Sequence, residues 1–351
     1  MPVDAKTLLA SHNIHGYGTP GLLRFEKHLA LYFEREFGRW RGNRQAPESF
    51  GVSSFEGELV DTPGGTASFD HYNMDHEIYG AFLDSEYLAY SMGYYGFTDT
   101  SDEADNGLSL AQAQENKYRL IIERADIRDG QNILDIGCGY GGFIKYLLRN
   151  FDNITATGIN PSSTQTGYIR NVLKPDSARF TLAPETFETV IGSTGMNQSF
   201  DRIISIGVLE HFTNLDLLFA SLKRLLKPGG KSLHHLIVSA DTIPRLLKAE
   251  DTLIAKYFPG GHVWPYSEMT RHTKHLDFVN SWFINGRNYW KTLDEWHRRF
   301  WSQIDRLFPS QLSVSEVESW NSFFALSKAM FGADHGRSYG VGHYLYEKNA
   351  C

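Results

Sequence analysis

Residues 133–143 read ILDIGCGYGGF. An apolar run of strand-forming residues meets the carboxylate of Asp135, and glycines follow at 137, 139 and 142. Glycines there let the backbone turn tightly and let a ligand approach the start of a helix. The spacing satisfies G-x-G-x-x-G, the dinucleotide fingerprint, which by itself is a weak signal. Two details turn it away from a nicotinamide dinucleotide. Asp135, just before the glycines, suits a cationic or amino-bearing ligand better than a pyrophosphate. The acid expected ~20 residues on, to hold a ribose, is Asn160 here, following Ile159.

A second group of residues with chemical potential is Glu210 and His211, inside FDRIISIGVLEHF at 200–212. Ionisable groups at the carboxyl end of a core strand face a crevice, where pKa shifts are common. Glu210 has a structural alternative as the cap of the following segment. His235 has one as a satisfied core histidine, and Tyr289 as a rim aromatic. Cys138, inside the glycine turn, reads as a small buried residue chosen for fit rather than for thiol chemistry. Fourteen histidines raise the question of a metal. His234 and His235 alternate across a strand, and His272 and His275 have no acid or cysteine to complete a set. No metal is expected.

These residues need a scaffold, and the pattern from Gln131 onward supplies one. Asn132 to Ile136 predicts a strand and Gly142 to Arg149 a helix. Further strands are expected at 154–159, 179–182, 202–206 and 231–238, with helices at 162–173 and 215–226 between them. Apolar strands alternating with helices imply parallel βαβ units covered on both faces. Ligands then sit at the carboxyl ends of the strands near the switch point.

Upstream, Leu22, Phe25, Leu29, Phe33 and Phe37 recur at helical spacing. Residues 1–65 therefore read as an N-terminal helical extension. Without a basic face its apolar stripe is expected to pack on the body rather than on a membrane. Residues 66–351 read as the main domain. A stretch at about 240–312, rich in aromatics and histidine, reads as an inserted helical cap. SYGVGHYLYEK closes the chain as a strand.

The chain of 351 residues carries a formal net charge of −7, which argues against a nucleic-acid partner. Its two cysteines, Cys138 and Cys351, offer no disulfide framework, so a reducing, cytoplasmic compartment is expected. No apolar run approaches the ~20 residues that span a bilayer. The first residues lack the pattern of a signal peptide.

LDIGCGYGGF resembles motif I of the class I S-adenosylmethionine-dependent methyltransferases. FDRIISIGVLEHF resembles the fourth strand of that fold, and LLKPGGKSLHH the turn into the fifth. More narrowly, FDHYNMDHEIYGAFLDSEYLAYSMGYY and SLAQAQENKYRLI are similar to segments of the cyclopropane fatty acid synthase family. The likeness runs from about Phe69 to the C-terminus. It implies a Rossmann-like α/β fold with a mostly parallel seven-stranded sheet and helices on both faces.

The resemblance also implies S-adenosyl-L-methionine as cofactor. Gly137, Cys138 and Gly139 would pack on its methionyl part and ribose. Asn160 would meet the ribose, Gln165 the amino-acid end, and Tyr72, Tyr90 and Ser91 would close over it. The segment from Pro184 to Phe187, with Glu185 and Thr186, would flank the adenine, and Ile206 and Gly207 would line the methyl channel. Glu210, His235 and Tyr289 match residues that surround a bicarbonate ion in cyclopropane synthases. The family's cysteine beside that ion is Met92 here, so ring closure is less well supported than methyl transfer. Gly207 matches the lipid-modifying branch, whereas plant benzylisoquinoline N-methyltransferases carry a glutamate there.

The acceptor implied is an unsaturated fatty acyl carbon, or in the alternative a small amine, with Glu210 or His211 as general base. Tyr94, Trp264, Tyr266 and Trp282 are candidates for an apolar pocket wall. A non-catalytic cofactor-binding role is the third reading. Peripheral membrane contact and homo-oligomerisation are compatible with all three.

Overall fold

A computed structural model of the chain describes residues 4–42, 57–60, 76–100, 107–174, 178–193, 195–240 and 261–350. Among the described residues, eight strands form one sheet: β1 (Asn132–Ile136), β2 (Thr155–Ile159), β3 (Phe180–Ala183), β4 (Phe200–Ile206), β5 (Leu226–Ser239), β6 (Trp264–Pro265), β7 (Asp277–Asn285) and β8 (Tyr339–Glu347). Seven of them follow the order β3-β2-β1-β4-β5-β8-β7, and the two-residue β6 pairs with β5. β1 to β5 run parallel, while β8 is antiparallel to both β5 and β7.

The chain winds outward from β1 to β3, then returns to the other side of β1 as β4. That reversal opens a crevice at the carboxyl ends of β1 and β4, the usual ligand position in such sheets.

Alternation along each strand sends side chains to opposite layers. Leu134 and Ile203 pack with Leu218 and Leu222 of the Leu215–Leu225 helix. Their neighbours Ile133 and Ile204 pack with Ile121, Phe143 and Leu147 on the other face. All of these are buried. Each contributes about 1.5–3 kcal/mol of transfer free energy.

The helix ahead of β1, Leu110–Ala125, starts at a capping box between Ser109 and Gln112. Reciprocal side-chain bonds there satisfy two backbone N–H groups that a helix start leaves orphaned.

The third layer is aromatic. Helices His76–Phe82, Arg287–Ser302 and Val314–Gly332 bring Tyr79, Phe82, Trp296, Phe300, Trp320 and Phe324 into one cluster. Helices Ala5–Ser11 and Pro20–Gly42 pack on that cluster through Leu9 and Phe37. Lys328 Nζ ties the extension down, 2.6 Å from Glu26 and 3.0 Å from Asp294.

Three expectations need adjusting. The stretch at 240–312 is not a purely helical cap, because β6 and β7 lie inside it and join the sheet. β5 begins at Leu226 rather than after the KPGG turn, and a register shift against β4 between Phe200 and Arg202 absorbs the irregularity. Phe25 stays 43% exposed, so the packed stripe of its helix is narrower than the spacing suggests. Among the described residues, no helix is long and apolar enough to cross a membrane.

Candidate functional site

The turn after β1 is held open by glycine and by cross-strand bonds. Gly137 has φ +68°, and a Cβ on it would meet Val208 Cγ2 at 2.5 Å. Gly139 has φ +56°, but a Cβ there would meet no atom within 4 Å. Gly139 therefore presents bare backbone to open space, a cradle for a ligand. The N–H of Cys138 donates to the Ile159 carbonyl at 3.0 Å. Asn160 Nδ2 donates to the Gly139 carbonyl at 2.8 Å, so β2 fixes the shape of the turn.

A cleft over this turn is lined by Asp135, Gly137, Cys138 and Gly139 from the β1 end. Asn160 and Gln165 line it from the β2 side, Tyr90 and Ser91 from the segment ahead of the sheet domain, Ile206 from the end of β4, and Gly207 and His211 from the turn that follows it.

Asn160 is already heavily used. Its Nδ2 also donates to Gln165 Oε1 at 2.9 Å, and its Oδ1 accepts the Ser162 N–H at 3.0 Å. One Oδ1 lone pair and the Gln165 amide N–H groups remain for a ligand hydroxyl. Cys138 packs with Ile144, Ala156, Ile169 and Phe180, and burial pushes its thiol well above the ordinary range. That is the setting of a packing residue, not of a nucleophile.

The electrostatics centre on Asp135 and Lys117. Asp135 is 2% exposed and, among the described residues, makes no hydrogen bond or ion pair. Burial pushes its pKa up to about 8, against the opposing charge of Lys117. Lys117 is buried too, and desolvation lowers its pKa to about 7 against the attraction of Asp84 and Asp135. Its Nζ donates to Ser91 Oγ at 2.6 Å and to Gln114 Oε1 at 2.5 Å. An ammonium group arriving at Asp135 would restore that carboxylate's charge, because an opposite charge favours the ionised form.

Glu210 and His211 share a 3-10 turn, Leu209–His211, just after β4. His211 lines the cleft, whereas Glu210 is 1% exposed behind it. Glu210 Oε1 accepts the Ile237 N–H at 2.8 Å, and Oε2 has no partner among the described residues. Desolvation raises its pKa to about 7, while the Ile237 N–H pulls the other way.

His235 pairs in register with Ile206, and its carbonyl accepts the Gly207 N–H at 2.8 Å. Its ring leans on His343, with Nδ1 to Nε2 at 2.8 Å. Tyr289 sits further off. Its ring meets Trp296 at 6.2 Å, and Trp296 stacks on the cleft residue Tyr90 at 5.2 Å. Met92 is fully buried in a cluster with Ile284 and Val341, against which Tyr289 packs. Glu210, His235 and Tyr289 thus stand outside the cleft lining, and the structure links them to it through Gly207, His211 and Tyr90.

Other expectations move by a few residues or fall away. Thr186 spends its hydroxyl capping the Phe187–Gly192 helix, accepting the Thr189 N–H at 3.3 Å, and Glu185 is exposed. Phe187 and Glu188 line the cleft in their place. Tyr94, Trp264, Tyr266 and Trp282 do not line it. Tyr72 lies outside the described residues. Lys117 and Val208 were missed by the sequence reading. Lys117 carried a signal, a lysine on the apolar face of a helix, but no motif marks it.

The chain matches the family described as "Mycolic acid cyclopropane synthetase" over residues 62–337. It is 30% identical over 241 residues to the cyclopropane-fatty-acyl-phospholipid synthase of Escherichia coli K12, covering 67% of this chain and 57% of that protein. The chain therefore spans little more than half the length of that relative. It is 26% identical to (S)-coclaurine N-methyltransferase of Papaver somniferum over 300 residues, 79% of this chain and 81% of that one. Among solved structures it is similar to a coclaurine N-methyltransferase bound to N-methylheliamine and S-adenosylhomocysteine (SAH). That match has a TM-score of 0.76 at 21% identity, covering 93% of this chain and 100% of the other.

Proposed function

Because this chain belongs to the mycolic acid cyclopropane synthetase family, we propose that it is an S-adenosylmethionine-dependent methyltransferase whose acceptor is an unsaturated fatty acyl carbon. The observation that carries the cofactor reading is Asp135, a buried carboxylate with no hydrogen bond among the described residues, lining the same cleft as the bare backbone of Gly139. A ligand with an ammonium group and a ribose fits that pairing. Asp135 would take the ammonium. Gln165 and the remaining Asn160 lone pair would take ribose hydroxyls, and Phe187 would flank the base.

S-adenosylmethionine, when bound, supplies an electrophilic methyl group on a sulfonium. The residues at the β4 end then do two things. Ile206 and Gly207 leave a channel free of bulk, since a Cβ on Gly207 would meet nothing within 4 Å. Positioning the alkene in line with the methyl through that channel supplies much of the rate. Glu210 handles the proton. Attack by the alkene leaves a carbocation, and a C–H bond must break so that its electron pair closes a ring or a double bond. A carboxylate whose pKa is raised to about 7 is suited to take that proton near neutral pH. Met92 and Tyr289 pack in one apolar cluster, and no step is assigned to bicarbonate.

A second reading, N-methylation of a small amine, is favoured by one observation. The sequence likeness to (S)-coclaurine N-methyltransferase of Papaver somniferum spans 79% of this chain and 81% of that protein, against 67% and 57% for the lipid synthase. An assay with labelled S-adenosylmethionine against phospholipids, free unsaturated fatty acids and a panel of amines separates the two. Label in an acyl product that gains one carbon and two hydrogens supports the lipid reading. Label confined to amines overturns it. Failure of calorimetry to detect either S-adenosylmethionine or SAH would overturn both.

A further inference from the structure

Three strands place a row of side chains on one face of the sheet. His235 on β5 is paired in register with His343 on β8, and His343 with Trp282 on β7. Arg124, in the last turn of the Leu110–Ala125 helix, lies across this row. Its guanidinium carbon is 4.5 Å from the centre of the Trp282 ring, and its Nη1 is 2.8 Å from His343 Nδ1. His343 Nε2 is in turn 2.8 Å from His235 Nδ1. Both histidines are buried.

We propose that His343 and Arg124 are positioning residues that hold His235 as a neutral imidazole with its proton on Nε2, so that His235 can act only as a hydrogen-bond donor. The inference deepens the reading above, and rests on it only for the statement that Glu210 is the group that takes the proton.

The argument is a count of protons. A guanidinium has donors and no acceptor. His343 Nδ1, facing Arg124, must therefore accept and carries no proton. A neutral imidazole keeps one N–H, which for His343 must be on Nε2. That N–H faces His235 Nδ1, which must accept in its turn. The one proton of His235 is left on Nε2, and among the described residues that atom has no partner.

A second proton on either ring would set N–H against N–H, or N–H against the guanidinium. The surroundings oppose it as well. Burial first holds both histidines well below the usual imidazole range; Lys117 and Arg124 on the helix above then push His235 the same way, and His235, Arg124 and Lys117 push His343. Burial lowers Arg124 itself only to about 10, so it stays cationic near neutral pH.

The neighbouring His234 shows what the relay adds. It faces the opposite side of the sheet, where Nδ1 meets Ser205 Oγ at 2.8 Å and the ring packs near Phe219 and Tyr346. A hydroxyl both donates and accepts, so nothing there dictates a tautomer. At His235 an unambiguous donor stands at the head of the chain. The division of labour follows. His235 offers an N–H to an anion or a lone pair and cannot take a proton, which leaves proton removal to Glu210.

Nitrogen NMR of the protein labelled in its histidine rings tests this without a turnover assay. The His235 signals are assigned by their loss in His235→Asn. The expected result is a neutral ring protonated on Nε2, unchanged from about pH 6 to about pH 9. His343→Leu should release it, giving a mixture of the Nδ1-protonated and Nε2-protonated neutral tautomers. His343→Gln, which keeps an acceptor for Arg124 and a donor for His235, should restore the wild-type signals. Should His343→Leu not fold, Arg124→Leu makes the same test from the other end of the relay. A His235 proton on Nδ1, a charged ring at neutral pH, or an unchanged tautomer in the folded leucine variant would overturn the proposal. None of these readings depends on which acceptor is methylated.

Discussion

The Glu210 carboxylate accepts the main-chain N–H of Ile237 at 2.8 Å, so the acid that follows β4 is anchored to the strand that carries His235. That bond fixes one oxygen and leaves the other unpartnered among the described residues. An acid held in this way has one face committed to the fold and one available for a proton.

If Glu210 is the proton acceptor, it works as the carboxylate. Its pKa is raised to about 7, so turnover should fall as the pH drops through that value. Glu210→Gln should remove this acid limb and cut turnover by roughly 10²–10⁴, the usual contribution of a positioned base. Affinity for S-adenosylmethionine should change little, because Glu210 does not line the cofactor cleft. Wild-type turnover in the glutamine variant would take Glu210 out of the mechanism.

The same residue makes a stability prediction of definite sign. Its folded pKa, about 7, lies above the ordinary carboxylate value of 4.5, because burial disfavours the charge. The folded state therefore favours the protonated acid. That contribution is complete below pH 4.5 and is lost as the pH rises through about 7. Glu210→Gln, neutral throughout, should match the wild type in acid and exceed it above neutrality. The ceiling is about 3 kcal/mol, at 1.36 kcal/mol per pKa unit. Chemical denaturation at both ends of the range reads the difference, and a variant less stable at high pH would contradict it.

Asp135→Asn should weaken S-adenosylmethionine and SAH binding by ~10-fold or more, the loss of one charge-assisted hydrogen bond of about 1.5–3 kcal/mol. 5′-Methylthioadenosine lacks the amino-acid part and should bind wild type and variant alike. Calorimetry with the pair of ligands isolates the ammonium contact. Equal losses for both would mean that Asp135 shapes the cleft rather than meeting the ammonium.

The parts of this architecture that the sequence made legible are those where local pattern and tertiary role coincide. β1 to β5 are buried strands between helices, and apolar runs mark them. β7 is an edge strand with Asp277, Val279 and Asn280 exposed, so its outer half has neither an apolar run nor a clean alternation. β6 is two residues long and exists only because β5 offers it a partner. The glycine turn and the Glu210 turn were legible because each is contiguous. The Arg124–His343 pair joins residues 219 positions apart, and only the sheet register brings them together. Thr186 shows the opposite failure, since a local rule for helix starts claimed the side chain expected at the base.

The N-terminal extension lies largely ahead of the family match, yet it shares a charged network with the helices that cover the site. Lys328 Nζ stands 2.6 Å from Glu26 and 3.0 Å from Asp294, and 5.2 Å from the centre of the Tyr17 ring. Tyr17 donates its hydroxyl to Asp294 at 2.8 Å. Lys328→Met should strand two acids beside each other. Removing one partner of a fully buried pair costs about 3–5 kcal/mol. Here the acid side chains keep 23% and 18% exposure, so water reaches them and the expected cost falls to about 1–3 kcal/mol. Proteolysis should then cut residues 4–42 faster than in wild type. Glu26→Gln in the Lys328→Met background should cost less than the two single changes summed, because both act on one network. Strict additivity would show that the extension is held by Leu9 and Phe37 alone, and that the ion pairs contribute nothing to docking it.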